Sequence, residues 1–376
     1  MTKNARRRLI IVTTALACLL ATDVWVRRME PALQVYHDDP FLRACNNLPH
    51  RGLPDIVLMG SSRAQYALVP DEFRTITGKR THNAAVPGSV VLEWQLLARK
   101  LFAHEQPSLV VLGINAQELR ADYVPTRAAQ SLFTFSDLLE YSRQDHPSGA
   151  VGEQYIRHTL GPAWALFDSR FELKMWGHQR LAPVLPSHAQ QARWLREWVA
   201  RPVAPDGFDH PWLSGRRLPT LEDRWVVDRA QVPAPPPPKF SPAASPMARL
   251  RRLLDWFREN AVPVLVVYLP NSPATEERWR EVEPAAIEAI AQACREHGAP
   301  FLRFDGGQIR RTNADFVDET HVGLPLARRI SRRAAGLIIT LGLLNREDRH
   351  FAGSRDVAAA AGYASREPAD PADSPK

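Results

Sequence analysis

Residues 55–62 have the sequence DIVLMGSS, a hydrophobic run that ends in a glycine and two serines. This pattern predicts a short β-strand that passes directly into a turn. Four more segments of strand length follow, at residues 81–85, 108–112, 262–269 and 301–304. Because helical segments separate most of these strands, we expect a parallel sheet with helices on both faces, the α/β fold class.

The predicted helices have hydrophobic residues three or four positions apart, so that one face of each helix is apolar. One helix covers residues 90–104, and a second begins at the Ser245-Pro246 cap. A third ends near Glu296, and the last runs from about residue 324 to residue 344. The α/β pattern therefore extends from residue 55 to residue 345, with one interruption.

The interruption lies between residues 123 and 245, which hold six of the ten tryptophans and end in a proline run at 235–238. We expect a helical insertion whose tryptophans form a small core of their own, because aromatic side chains are usually buried. A lid or platform that stacks on sugars or acyl chains is the alternative. The predicted organisation is an anchor (1–28), a first α/β part (29–122), the insertion (123–245), a second α/β part (246–345) and a disordered tail (346–376).

The net charge of +7 does not indicate a nucleic-acid partner, because most of this charge lies at the N-terminus. Residues 1–28 carry six basic residues against Asp23, so +5 of the charge belongs to the N-terminus and only +2 to the rest. A nucleic-acid surface needs basic residues massed on the folded domain. We therefore predict no nucleic-acid partner. The three cysteines form no CxxC pair and no phosphate-binding glycine loop is present, so no metal and no cofactor are predicted.

The N-terminus predicts a membrane anchor. Residues 3–8, KNARRR, precede the apolar run Leu9–Val26 of 18 residues. Positive charge before such a run keeps that end in the cytoplasm, which places the bulk of the chain in the periplasm or another extracytoplasmic space. A cleaved signal peptide is the alternative, but its small-x-small site at Ala15-Leu16-Ala17 would cut the apolar run in half.

Export would bring the cysteines into an oxidising compartment, where Cys45 and Cys294 could form a disulfide. Cys294, however, lies on the apolar stripe of a predicted helix together with Ile287 and Ile290. This position favours a buried free thiol.

Polar residues follow three of the predicted strands, in the segments Gly60-Ser61-Ser62, Pro87-Gly88-Ser89 and Gly113-Ile114-Asn115. A fourth segment, Asp318-Glu319-Thr320-His321, precedes the last helix. Each segment alone is typical of a turn or a helix cap. Because ligands bind at the carboxyl ends of parallel strands, the four together point to one site.

The residue types in these segments match the requirements of acyl transfer. Ser62 supplies a nucleophilic hydroxyl, His321 a general base, and Asp318 a carboxylate that orients the imidazole. Backbone N–H groups at Ser62 and Gly88, with the side-chain amide of Asn115, are the candidate donors to an oxyanion. Gly88 has no side chain to block the approach of its N–H group.

The four segments resemble, in order, the blocks of the SGNH (GDSL-like) hydrolase family. Ser62 matches the nucleophile of the first block, Gly88 the second-block glycine, and Gly113-Ile114-Asn115 the third block. Asp318 and His321 match the Asp-x-x-His block before the final helix. The resemblance implies a three-layer sandwich around a central parallel sheet, a Ser-His-Asp triad and no metal.

Two positions depart from the family pattern. Ser61 stands where the first block usually has Asp, and Ala116 follows Asn115 where many members have Asp. Ser61 is also a second candidate for the nucleophile. The Gly-Ser-Ser variant with an N-terminal anchor resembles the membrane-tethered subset that includes the teichoic-acid D-alanine transfer proteins. This subset implies a cell-surface polysaccharide or an acyl donor as partner, with a membrane acyltransferase as a further candidate.

The motif serves esterases and O-acyltransferases equally, and the sequence leaves both open. The first hypothesis is a membrane-anchored serine enzyme acting on acyl groups of a cell-surface polysaccharide. The second is a non-catalytic SGNH-like scaffold or glycan-binding component of a polysaccharide assembly complex, suggested by the missing first-block Asp and the tryptophan-rich insertion. A periplasmic lipase or thioesterase is a third.

Overall fold

A computed structural model describes residues 3–33, 52–119, 244–304 and 309–344, together with residues 173, 176–177 and 180–181. These residues fall into two units. The first contains the N-terminal helix and the described residues between 173 and 181; the second contains the sheet and its helices. The tail 346–376, Cys45 and most of the predicted insertion lie outside the described residues.

The first unit contains one long helix, α1 (Lys3–Leu33). Its segment Ile10–Met29 is long and apolar enough to cross a membrane, with a mean hydropathy of 1.7. The predicted apolar N-terminal helix is thereby confirmed. Within it, Asp23 pairs with Arg27 one turn later at 2.9 Å, which offsets part of the cost of placing a charge in an apolar segment.

The second unit is an α/β structure with a five-stranded sheet, as predicted, and every pair of neighbouring strands in it is parallel. The strands are β1 (Ile56–Met59), β2 (Thr81–Asn83), β3 (Leu109–Ile114), β4 (Val264–Tyr268) and β5 (Phe301–Arg303). The helices are α2 (Ser62–Ala67), α3 (Pro70–Thr77), α4 (Val91–Leu101), α5 (Ala244–Glu259), α6 (Pro273–Trp279), α7 (Glu283–Glu296) and α8 (Leu324–Thr340). Short 3-10 turns cover Ala116–Leu119 and Asn313–Asp315.

The strand order in the sheet is β2-β1-β3-β4-β5. The chain moves to one side of β1 for β2 and then to the other side for β3, which makes the gap between β1 and β3 a topological switch point. In open α/β sheets, ligands bind outside the carboxyl ends of the strands at such a point. The strand order therefore places the ends of β1 and β3, with Ser62 and Asn115 just beyond them, where a ligand is expected.

Both faces of the sheet are buried. Alternate residues, represented by Leu58 on β1 and Val111 on β3, belong to one core with α2, α3 and α8. The intervening residues, such as Val57 and Val110, are also fully buried. Helices α4, α5 and α7 pack in a second group, since α5 contacts both of the others, which indicates that this group covers the opposite face.

Cys294 lies in the buried face of α7 as a free thiol, which confirms the prediction of a buried thiol there. Burial raises the pKa of Cys294 to about 12, while the neighbouring Arg295 opposes the rise. The thiol is therefore un-ionised at neutral pH and has little reactivity.

Gly60 allows α2 to begin directly at the end of β1. Its φ is +142°, and a Cβ atom added there would lie 2.4 Å from the carbonyl oxygen of Gly113 and 2.5 Å from Cβ of Ala64. Both distances are shorter than real Cβ contacts allow. The first glycine of the Gly-Ser-Ser segment is thus required by close packing between β1, β3 and α2.

We expect Gly60→Ala to destabilise the protein more than Gly78→Ala does. Both glycines have positive φ, a strain of about 1–3 kcal/mol for alanine, but a Cβ at Gly78 would meet no described atom within 4 Å. Thermal unfolding of the two variants isolates the contribution of the clash at Gly60. Equal unfolding midpoints would show that the close approach between β1 and α2 is not needed for the fold.

Candidate active site

The segment Gly60-Ser61-Ser62 joins β1 to α2 at the switch point, and we call it the nucleophile loop after the role predicted for Ser62. Ser61 has extended backbone geometry and caps α2, since its Oγ accepts a hydrogen bond from the N–H of Arg63. Ser62 is the first residue of the helix and is half-buried. Serine is favoured at a helix N-cap because its side-chain oxygen accepts a backbone N–H, so Ser61 starts α2 here and makes Ser62 the first residue of the helix, next to the end of β1.

Ser62, His321 and Asp318 form one continuous hydrogen-bonded chain. The Oγ atom of Ser62 lies 2.8 Å from Nε2 of His321, although 259 residues separate them in the sequence. The other ring nitrogen, Nδ1, lies 2.7 Å from Oδ2 of Asp318. In the tautomer in which Nδ1 carries the hydrogen, Asp318 accepts it and Nε2 is free to accept the hydroxyl proton of Ser62.

The carboxylate of Asp318 also organises its own loop. Its Oδ1 accepts hydrogen bonds from the backbone N–H groups of Thr320 at 2.8 Å and His321 at 2.9 Å. Burial by itself raises the pKa of Asp318, but the hydrogen bonds from His321 and Thr320 and the attraction of the imidazole outweigh it, so the pKa lies well below its usual value. Asp318 is therefore ionised at neutral pH, where its carboxylate can accept a hydrogen bond from Nδ1 of His321.

Helix α6 holds the loop that carries Asp318 and His321, which we call the histidine loop (316–322). The carbonyl oxygen of Glu319 accepts hydrogen bonds from the N–H of Ser272 at 3.2 Å and from Oγ1 of Thr275 at 3.0 Å. Arg278 donates two hydrogen bonds to the carboxylate of Glu319, at 2.9 and 3.0 Å. These hydrogen bonds restrain both the backbone and the side chain of Glu319, and they thereby restrain the neighbouring Asp318.

The imidazole is also contacted by Tyr66, which sequence analysis did not identify. The ring centroids of Tyr66 and His321 lie 4.8 Å apart, with an angle of 44° between the ring planes. Tyr66 follows Ser62 by four residues on α2, so both project from the same face of that helix. This spacing is the only sequence signal that could have suggested its role.

The imidazole and the carboxylate are accessible from solvent. The side chain of His321 is 23% exposed and that of Asp318 is 40% exposed. A triad buried completely could not meet a substrate, whereas this one lies at an open edge of the sheet.

Gly88 occupies a tight turn that packs against the nucleophile loop. The N–H of Ser89 donates to the carbonyl of Val86 at 3.1 Å, and Pro87-Gly88 form the centre of the turn with φ +73° at the glycine. The N–H of Val86 and the hydroxyl of Ser89 both donate to the carbonyl oxygen of Gly60, at 2.9 and 3.2 Å. The positive φ accounts for the glycine, since a Cβ at Gly88 would contact no described atom within 4 Å.

Asn115 follows β3 and is completely buried. Its Oδ1 accepts the N–H of Gln117 at 3.1 Å, and its Nδ2 donates to the carbonyl of Leu269 at 2.8 Å. The side chain thus connects the ends of β3 and β4. A side-chain amide has two N–H bonds, and the second one is the donor that the predicted oxyanion role would use.

Ser61 is engaged in a contact of its own. Ser61 is 4% exposed, and its Oγ donates to a carboxylate oxygen of Glu118, a residue that sequence analysis did not identify. Ser62, by contrast, is more accessible and lies within hydrogen-bond distance of the imidazole. This arrangement favours Ser62 over Ser61 as the nucleophile.

The site offers a nucleophile, a base and an orienting carboxylate, a set that suits acyl transfer without a metal ion. Among the described residues, no group of three His, Cys, Asp or Glu side chains is arranged to hold a metal. The chain was also compared with protein-family models and with curated proteins, and neither comparison found a match.

Proposed function

We propose that the protein is a membrane-anchored, extracytoplasmic serine esterase or O-acyltransferase that acts on acyl groups of a cell-surface polysaccharide. The observation that carries the proposal is the hydrogen-bonded chain from Ser62 through His321 to Asp318. A serine hydroxyl is a weak nucleophile unless an adjacent base removes its proton, and an oriented imidazole at 2.8 Å is such a base.

The proposed reaction has two halves. Oγ of Ser62 bonds to the carbonyl carbon of an ester or thioester while Nε2 of His321 takes the hydroxyl proton. The carbonyl oxygen becomes an oxyanion that accepts hydrogen bonds from the N–H of Ser62 and, as proposed, from Gly88 and Asn115. When the oxyanion collapses, the bond to the leaving alcohol or thiol breaks, and His321 returns the proton to it. An acyl-enzyme remains on Ser62.

In the second half, water or a sugar hydroxyl gives its proton to His321 and attacks the acyl-enzyme. Water yields a free acid and makes the protein an esterase; a sugar hydroxyl yields a new ester and makes it an O-acyltransferase. In either case Ser62 recovers its proton from His321 and the site returns to its starting state.

The finer classification rests on the resemblance to the SGNH family. Its support is the position of the blocks at one edge of the sheet: Ser62 and His321 are in contact, the turn at Gly88 packs on the nucleophile loop, and Asn115 follows β3, which lies beside β1. The polysaccharide substrate and the extracytoplasmic location follow from the membrane-tethered subset and from the basic residues before α1.

A covalent label tests the proposal. Full-length protein in detergent is incubated with a fluorophosphonate, and we expect one adduct, which peptide mass spectrometry locates on Ser62. Incubation with p-nitrophenyl acetate and a polysaccharide acceptor then separates the two activities, because only transfer leaves acetyl groups on the sugar. Absence of any adduct on correctly folded protein would refute the serine mechanism.

The non-catalytic scaffold is the second candidate, favoured by the environment of Asn115: the residue is completely buried, and one N–H of its side-chain amide already donates to the carbonyl of Leu269. It predicts no adduct with the fluorophosphonate but retained binding of polysaccharide. The same labelled sample therefore distinguishes the enzyme from the scaffold.

Replacement of Tyr66 is expected to reduce the labelling rate. A pair of aromatic rings contributes about 0.5–1.5 kcal/mol, so Tyr66→Leu should slow labelling of Ser62 about 2- to 10-fold by loosening the imidazole. Tyr66→Phe keeps the ring and serves as the matched control, with a rate close to that of the unchanged protein. A leucine variant as fast as the phenylalanine variant would show that the ring contact has no part in the reaction.

A further inference from the structure

One carboxylate connects the nucleophile loop to the loop that follows β3. Glu118 lies in the 3-10 turn Ala116–Leu119 and is 4% exposed. Its Oε1 accepts the hydrogen bond from Oγ of Ser61, and its Oε2 accepts one from the backbone N–H of Asn115 at 2.6 Å. The two donors belong to different loops, so each oxygen of the Glu118 carboxylate accepts a hydrogen bond from one of the two loops.

The contact through Glu118 lies just beyond the last backbone pairing between β1 and β3. β1 and β3 are paired from Ile56↔Leu109 to Met59↔Leu112, and Gly60 to Ser62 then turn away into α2. Beyond that last pair the strand ladder no longer sets the distance between the two loops. The side chain of Glu118 bridges them at that point.

The carboxylate of Glu118 has a positively charged neighbour, Arg63, in the same cluster of side chains. Burial raises the pKa of Glu118, and the nearby guanidinium of Arg63 acts against this effect. Nη1 of Arg63 lies 3.5 Å from Oε1 of Glu118, while Nη2 donates to Oε1 of Gln117. Arg63 directly follows Ser62 on α2, so the counter-charge also belongs to the segment that carries the nucleophile.

A buried carboxylate is a costly way to join two loops. Its desolvation costs several kcal/mol, which apolar packing of the same volume would avoid. What the carboxylate adds is direction, because hydrogen bonds from Ser61 and Asn115 define the positions of both donors. Catalytic donors need this precision, since a displacement of about 1 Å costs about 100-fold in rate.

We infer that Glu118 is a positioning residue for acyl transfer: it holds the nucleophile loop and the Asn115 loop at the spacing that aligns Ser62 with the oxyanion donors. Glu118 acts through Ser61 and Asn115 and need not contact the substrate. The inference rests on the proposed function, because it assigns Glu118 a part in the reaction of Ser62.

Three variants of the full-length protein test this role, with p-nitrophenyl acetate as the probe. Glu118→Ala removes both connections and is expected to lower kcat about 100-fold while KM changes less than about 2-fold. Ser61→Ala removes the contact to Oε1, together with the cap hydrogen bond from the N–H of Arg63, but keeps the bond between Asn115 and Oε2, so its kcat should fall less. Because the two residues act through one contact, the double variant should be no slower than Glu118→Ala alone.

Glu283→Gln is the control for a purely structural effect. Glu283 is also buried, at 7% exposure, and its Oε1 accepts hydrogen bonds from Tyr268 at 2.6 Å and Asn271 at 3.0 Å. We expect this variant to lower the unfolding midpoint and to leave kcat within about 2-fold. If Glu118→Ala does not fold, Glu118→Gln, which keeps the volume but not both acceptors, replaces it.

The outcomes separate the inference from the proposed function. A chain with no turnover and no adduct on Ser62 refutes the proposed function. An active chain in which the Glu118 variants keep full kcat refutes only the positioning role. Additive losses in the double variant would also overturn it, because Ser61 and Glu118 would then act independently.

Discussion

Ser62→Ala is expected to abolish the fluorophosphonate adduct and to lower turnover of p-nitrophenyl acetate by about 10⁴- to 10⁶-fold. The expected loss is large because, in the proposed mechanism, alanine removes the atom that forms the acyl-enzyme and leaves His321 without a hydroxyl to deprotonate. His321→Ala should lose about as much, since the hydroxyl alone is a weak nucleophile. Residues that act as a unit are not additive, so the double variant should be no slower than either single one.

Ser61→Ala is the matched control for this experiment. It removes the neighbouring hydroxyl, which donates to Glu118 and lies in a buried position, but leaves the nucleophile in place. The control should still take up the label, at a reduced rate. An adduct on Ser62→Ala and none on Ser61→Ala would reverse the assignment of the nucleophile.

Asp318→Asn is expected to lower turnover about 10³- to 10⁴-fold, the second largest loss. Asparagine can still accept the backbone N–H groups of Thr320 and His321 through Oδ1, so the histidine loop should keep its shape. Its Nδ2, however, cannot accept a hydrogen bond from Nδ1 of His321. The imidazole would then favour the tautomer with the hydrogen on Nε2, where it cannot take a proton from Ser62.

Steady-state kinetics together with an unfolding curve check this prediction. Turnover should fall while KM and the unfolding midpoint change little, because the substitution impairs proton transfer from Ser62 to His321 and leaves substrate binding and the fold unchanged. Thr320→Val is a suitable control: it removes only the hydroxyl, whose Oγ1 lies 3.1 Å from Oδ1 of Asp318, and keeps the backbone contact. A large loss of turnover in Thr320→Val, with little loss in Asp318→Asn, would contradict the prediction. It would mean that turnover depends on the side-chain contacts within the histidine loop and not on the negative charge of Asp318.

The predicted strands agree with the structure to within a few residues, and the reason is local. Hydrophobic runs such as 108–112 and 262–269 are buried on both faces of a parallel sheet, so their composition alone marks them. The boundaries were less accurate. β3 continues through Gly113 and Ile114, which were expected in the turn, because these residues pair with Val267 and Tyr268 of β4.

The candidate triad could also be proposed from the sequence, although its geometry could not. Parallel strands end at the same edge of a sheet, so Ser62 after β1 and Asn115 after β3 were expected near each other. His321 follows no strand directly, and its placement depends on α6, which holds Glu319 through Thr275 and Arg278. Those contacts have no signature in the local sequence.

Local chemistry thus determined the elements and the residue types at their ends: hydrophobic runs make strands, and Gly-Ser-Ser and Asp-x-x-His suit turns that can carry a triad. Only the tertiary structure decided which side chains meet. The strand order brings β1 beside β3, so that Glu118 reaches Ser61 across 57 residues, and α2 turns Tyr66 toward His321. Such contacts depend on the order of strands and the directions of helices, which are set by the packing of the whole core and not by any single segment of the chain.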